Sequence, residues 1–171
     1  MKLKQLITNA LLTAIALTIF MIEAQIPAPI PIPGIKLGLA NIITVFAIFV
    51  YTPKDALLIL FVRIFLGSVF SGQISTILYS GAGGLLCFLS MLMVKKILTD
   101  QQLWVASIIG AIFHNIGQII VAVLVTSTIG ILVYLPILMV SGIAAGLFTG
   151  LCTQVLYKKL LKSGAIKKRH P

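Results

Sequence analysis

A chain of 171 residues that is 60% hydrophobic and 9% charged, with a mean hydropathy of +1.17, is too apolar for a soluble domain and reads as an integral membrane protein. Its formal net charge of +10 comes mostly from cations beside apolar runs, where they orient helices and meet the lipid bilayer, so nucleic acid is not the expected partner. Cys87 and Cys152 lie inside apolar runs and form no CxxC, so they need no disulfide or metal to explain them.

A hydrocarbon core of about 30 Å takes about 20 helical residues. The basic start and first apolar run have the outline of a signal peptide, but Ile22, Glu23 and the prolines beyond offer no small-residue cleavage pattern, so residues 5–24 are expected to stay as the first span. Ala10 and Ala14, four apart on this span, make a flat stripe suited to a partner helix. Residues 25–36 are a proline-rich outer loop in which Pro27, Pro29, Pro31 and Pro33 alternate with apolar residues, so no helix can run through. Glu23 stands on one side of this loop and Lys36 on the other, with Asn41 at the head of the next apolar run. The loop reads as the lid of a binding site, the alternative being a plain rigid connection between two spans.

The further spans are expected at 37–52, 55–72, 74–97, 102–126 and 130–157, with the turn between the last two at Thr126 to Gly130 and a basic cytoplasmic tail over 158–171. With the N-terminus cytoplasmic, every Lys and Arg except Lys36 and Arg63 falls on the cytoplasmic side. The expectation is one all-α, six-transmembrane-helix bundle with both termini inside.

Ionisable and amide groups within spans are costly to bury unless partnered, so they carry most of the functional information. Arg63 lies near the middle of the third span, with Gly67 and Ser71 following at steps of four, and its expected partner is Glu23. It either fixes helix packing as an ion pair or binds an anionic substrate. In the fifth span His114, Asn115 and Gln118 fall within five residues of an otherwise apolar helix; they read as the polar wall of a ligand cavity, with an interhelical hydrogen-bond clasp as the alternative. Tyr79, among the glycines of the fourth span, either lies beside the ligand or is plain helix packing, and Gly142, Gly146 and Gly150 of the sixth read as a close-packing stripe.

No Walker loop is present, so the chain does not hydrolyse ATP by itself. The only acids, Glu23, Asp55 and Asp100, are not neighbours, whereas an enzyme handling allylic diphosphates with magnesium is expected to cluster carboxylates. Neither catalysis nor a metal or other cofactor is expected.

Three stretches, PIPGIKLGLANI, RIFLGSVFSG and HNIGQ, resemble the Gx transporter family, whose members are often labelled heptaprenyl diphosphate synthase component I and look related to the substrate-binding S components of energy-coupling-factor transporters. The resemblance covers nearly the whole chain. It implies a six-helix bundle in the bacterial cell membrane whose first outer loop covers a small, partly apolar ligand held mainly by spans four to six, with a coupling subunit and separate ATPases as partners. Ala10 and Ala14 match the stripe by which S components dock on that subunit. The family is also similar to a membrane component of flavin-dependent extracellular electron transfer, which keeps a non-catalytic role in isoprenoid, quinone or flavin chemistry as the alternative.

Overall fold

The computed structural model describes residues 3–26, 38–72 and 74–166. Its elements are α1 (Leu3–Glu23), α2 (Asn41–Val50), α3 (Pro53–Ser71), α4 (Ser75–Lys95), α5 (Leu103–Thr126) and α6 (Leu135–Lys162), with a 3-10 helix at Ile129–Tyr134 leading into α6. The described residues contain no strand. The lid expected over 25–36 lies almost wholly outside the described residues, and so does Lys36.

Local chemistry sets the helix ends. The Thr52 hydroxyl accepts from the Asp55 N–H at 3.1 Å, and the Asp55 carboxylate accepts from the Thr52 N–H at 3.4 Å. With Pro53 opening the helix, this is a complete capping box for α3. Gly72, at φ +65°, ends α3 in the left-handed conformation that favours glycine. At the other end of the chain, α6 runs past the apolar stretch and carries Lys158, Lys159 and Lys162 within the helix rather than in a tail.

α1, α4, α5 and α6 are long and apolar enough to cross a membrane, and the chain is a membrane protein. α3 has the length, at 19 residues, but carries Lys54, Asp55 and Arg63. The expected second span, 37–52, holds a helix of only 10 residues. At 1.5 Å per residue that is about 15 Å, roughly half of the hydrocarbon thickness. α2 therefore does not cross a bilayer by itself.

This short helix is the centre of the bundle. α1, α3, α4, α5 and α6 form an arc in which each packs on the next, and α2 lies against all of them. Asn41 and every residue from Ile43 to Phe49 are buried, so α2 is apolar around its whole circumference, the pattern of a fully enclosed helix. Leu12 and Ala16 of α1, Ile59, Leu60 and Ile64 of α3, and Phe88 and Met91 of α4 complete the core around it.

Glycines set the spacing of the α4–α5–α6 wall. A Cβ on Gly117 of α5 would lie 2.8 Å from backbone atoms of Ala82 and Gly83, so α4 and α5 touch backbone to backbone. Gly146 of α6 faces Ala111, Ile108 and Ser107 of α5, and Gly150 faces Trp104 and Ser107, which bears out the close-packing role read for this stripe. Hydroxyls join the same seam, Ser107 Oγ lying 2.9 Å from Thr149 Oγ1. Gln154 Oε1 accepts from the Leu103 N–H at 3.0 Å and so caps the start of α5.

Candidate functional site

The head of α2 presents backbone N–H groups that its own N-cap residue, Ala40, has no side chain to satisfy. The first of them, on Asn41, Ile42 and Ile43, donate to the carbonyls of Gly38, Leu39 and Ala40, and the N–H groups of the turn itself go to the carboxylate of Glu23, at the end of α1. Its Oε1 accepts from the Gly38 N–H at 2.5 Å and its Oε2 from the Ala40 N–H at 3.3 Å. Gly38 turns the chain into the helix at φ +82°, and its carbonyl accepts from the Asn41 N–H at 3.0 Å. Glu23 is only 4% exposed, so the helix head is closed by a buried anion, the sign that its dipole favours.

Arg63 reaches the same point from α3. Its guanidinium donates from Nη2 to Asn41 Oδ1 at 3.3 Å, and the charge of Glu23 acts on it through space. The two charges expected to pair thus grip one helix head from two sides, with Asn41 between them. Arg63 is 3% exposed, and its Nε–H has no hydrogen-bond partner among the described residues. Leaving such a donor buried is costly, so its persistence is informative.

His114, in the middle of α5, closes the cluster. A Cβ on Gly38 would lie 3.2 Å from its Cδ2, and one on Gly83 of α4 would lie 2.9 Å from its Cε1. The ring is lodged between two glycines, one at the head of α2 and one in α4. Glu23, Asn41, Arg63 and His114 therefore meet in one polar group supplied by α1, α2, α3 and α5.

The other expected site residues lie elsewhere. Asn115 turns toward α6, where its Nδ2 donates to the Leu138 carbonyl at 2.5 Å beside Gly142. That is a hydrogen-bonded clasp between α5 and α6. Gln118 is wholly buried in the same helix, and Tyr79 sits in an apolar group with Ile119, Ala122 and Leu138. Ala10 and Ala14 are exposed on α1, which among the described elements packs on α3 and α2.

Two contacts that position the helices escaped the sequence reading. Asp55 Oδ1 accepts from Gln5 Nε2 at 2.6 Å and from Asn9 Nδ2 at 2.8 Å, which pins α1 to the start of α3. Lys95 of α4 donates to the Ile48 carbonyl in the last turn of α2 and lies 5.4 Å from the Phe49 ring centroid. The short helix thus has an anion at its head and a cation at its tail, both complementary to its dipole. An amide at Asn9 within an apolar span was the available signal for the first contact; nothing local marks the second.

Among the described residues no group of three or more His, Cys, Asp or Glu side chains could hold a metal ion. What the cluster offers is one guanidinium, one carboxylate, an amide, an imidazole and the N–H groups of a helix head, a set that recognises polar groups by hydrogen bonds and charge.

The profile of the family described as heptaprenyl diphosphate synthase component I matches residues 12–156, and the chain belongs to that family. No curated protein and no solved structure gave a match.

Proposed function

We propose that this member of the heptaprenyl diphosphate synthase component I family is the substrate-binding, S-component-like subunit of a transporter in the bacterial cell membrane. In this reading the whole stretch 37–52, of which α2 is the helical part, makes the second of six crossings, and both termini lie in the cytoplasm. It captures a small, partly apolar ligand and relies on a coupling subunit and separate ATPases for energy. One observation carries the proposal: Glu23, Asn41, Arg63 and His114 converge on the head of a half-length helix enclosed by the bundle. Buried charge within a membrane is expensive, and a helix that starts part-way through a bundle, its head facing ionisable groups, is how many carriers build a binding site. The exposed Ala10 and Ala14 supply the face for the coupling subunit.

Native mass spectrometry of the purified chain tests this directly. A small molecule bound one to one, and lost when His114 is replaced by Ala, is the expected result. A chain that carries no ligand and reconstitutes no uptake with any coupling subunit overturns the reading.

The description of the family favours a second reading, a non-catalytic membrane subunit linked to isoprenoid or quinone synthesis. It predicts co-purification with a soluble prenyl-transferring enzyme in place of coupling ATPases.

A further inference from the structure

We infer that the head of α2 is an anion-recognition site in which Glu23 occupies the place of the ligand's acidic group, so that a carboxylate or phosphate binds by displacing the Glu23 carboxylate. The inference rests on the ligand-binding reading above and specifies the class of ligand: a polar anionic group on a small, partly apolar body.

Two independent observations support it. The first is that the site already holds a carboxylate. The N–H groups of Gly38 and Ala40, in the turn that leads into α2, donate to the two oxygens of Glu23 at 2.5 and 3.3 Å, so a pair of backbone donors at the positive end of the helix already cradles an anionic group. The second is that Arg63 is committed to the same helix head yet not saturated. One terminal nitrogen donates to Asn41 Oδ1 at 3.3 Å, while the buried Nε–H has no hydrogen-bond partner among the described residues. A guanidinium can bind a carboxylate or phosphate through two parallel N–H groups, and the Asn41 contact uses only one. A ligand anion entering at this point gains the helix head and the idle Nε–H together.

Position explains why Glu23 can give way. It is the last residue of α1, and residues 24–26 form a turn rather than further helix. Rotation of its side chain, or a slight fraying of that last turn, releases both N–H groups without unpacking the bundle. Among the described residues the groups of other elements facing Arg63 are Glu23 of α1, Asn41 of α2, Cys87 of α4 and His114 of α5. Glu23 is the only acid among them, so its departure leaves the Arg63 charge to the incoming anion.

The ligand's anionic group could belong to a free solute, an amphiphile or a lipid, and three probes separate these sources. Full-length chain in phosphatidylcholine nanodiscs is titrated with inorganic phosphate and with decyl phosphate, and is compared with nanodiscs that contain phosphatidylglycerol; decanol serves as the neutral control. In the Glu23→Gln variant the competing charge is gone. At least one anion should then bind about tenfold or more tightly than to the native chain, with decanol unchanged. The anion that gains identifies the source. If all three bind equally or more weakly in Glu23→Gln, the inference is overturned.

A measurement on the unaltered chain gives a second route. Glu23 is the only glutamate in the sequence, so glutamate labelled with carbon-13 puts one labelled carboxylate in the infrared spectrum. Saturation with decyl phosphate should shift that band; a band that stays in place while decyl phosphate is bound overturns displacement. A native ligand found by mass spectrometry that binds Glu23→Gln and the unaltered chain equally would sink the anion site alone, leaving the ligand-binding reading intact.

Discussion

Gly38 and His114 meet across the head of α2 so closely that a Cβ on the glycine would lie 3.2 Å from the imidazole Cδ2 and 3.4 Å from Nε2. The same Cβ would come within 2.9 Å of Asn41 Nδ2. This contact ties the segment entering α2 to the middle of α5. It is the reason that the candidate site is one cluster and not a set of polar residues on separate helices.

Replacing Gly38 or Gly83 with Ala should therefore loosen the site from two directions, by unequal amounts. At Gly38 the left-handed backbone costs an L-residue about 1–2 kcal/mol, and the neighbouring Asn41 and His114 side chains can shift to make room. At Gly83 the nearest atom is the His114 carbonyl oxygen at 2.8 Å, which moves only if α4 and α5 separate. Overpacking of that kind costs about 1–3 kcal/mol or more. Thermal unfolding in mild detergent should rank the native chain above Gly38→Ala, and Gly38→Ala above Gly83→Ala; the reverse order of the two variants would mean that the turn, and not the helix contact, limits the fold.

The tail of α2 makes a second prediction. Lys95→Met keeps the aliphatic stem but removes the ammonium that caps the Ile48 carbonyl and faces Phe49. Loss of a charged hydrogen bond and a favourable helix-end charge should cost about 1–2 kcal/mol. Hydrogen exchange should quicken first in the last turn of α2. Uniform quickening over all helices would show that Lys95 acts on the bundle as a whole.

Much of this architecture is legible in the chain, and what is not has a common cause. Hydropathy marks the long helices, Thr52, Pro53 and Asp55 announce the start of α3, and the spacing of Gly142, Gly146 and Gly150 announces a close-packed face. Those features are local, so a short window of sequence contains them. The half-length of α2 is not local: the uncharged stretch begins at Leu37, just after Lys36, yet the helix begins only at Asn41, past the turn where Glu23 meets Gly38 and Ala40. Asn9 with Asp55 and Lys95 with Ile48 are likewise pairs brought together by the fold from distant parts of the chain. The grouping of Glu23 with Arg63 was foreseeable because two buried charges of opposite sign in one small bundle need each other. The interposed Asn41 was not, since it depends on the helix head lying level with Arg63.

The exposed small stripe of α1 separates assembly from folding. Ala10 and Ala14 face away from the bundle, so replacing both with Leu should change apo stability by no more than about 0.5 kcal/mol, as for other surface substitutions. Under the transporter reading, pull-down of a coupling subunit should fall at least tenfold in the same variant. Undiminished pull-down would remove these residues from the interface.

Membrane topology offers a direct check on the six-span reading. With native Cys87 and Cys152 replaced, single cysteines at Lys36 and at Lys162 should react with a membrane-impermeant maleimide from opposite faces, Lys36 from outside. Reaction of both from one face would require an even number of crossings between them, where the six-span reading has five.

The seam between α5 and α6 distinguishes two kinds of interhelical contact in one experiment. Asn115→Ala removes the bond to the Leu138 carbonyl, but that carbonyl also accepts from the Ser141 hydroxyl at 3.1 Å, so no acceptor is orphaned. Hydrogen bonds between membrane helices average about 0.6 kcal/mol, and the loss should fall near that value. Gly146→Leu acts differently. Even its Cβ would lie 2.9 Å from Ile108 Cα and 3.0 Å from the Ser107 carbonyl, which are backbone atoms of α5. The helices must part, and the Ser107–Thr149 contact at 2.9 Å parts with them. The expected loss is therefore more than about 3 kcal/mol, the upper end for overpacking. Equilibrium unfolding of both variants in the same detergent decides between packing and polar contacts. If Asn115→Ala proves the more damaging, the polar clasp rather than the glycine stripe holds the hairpin.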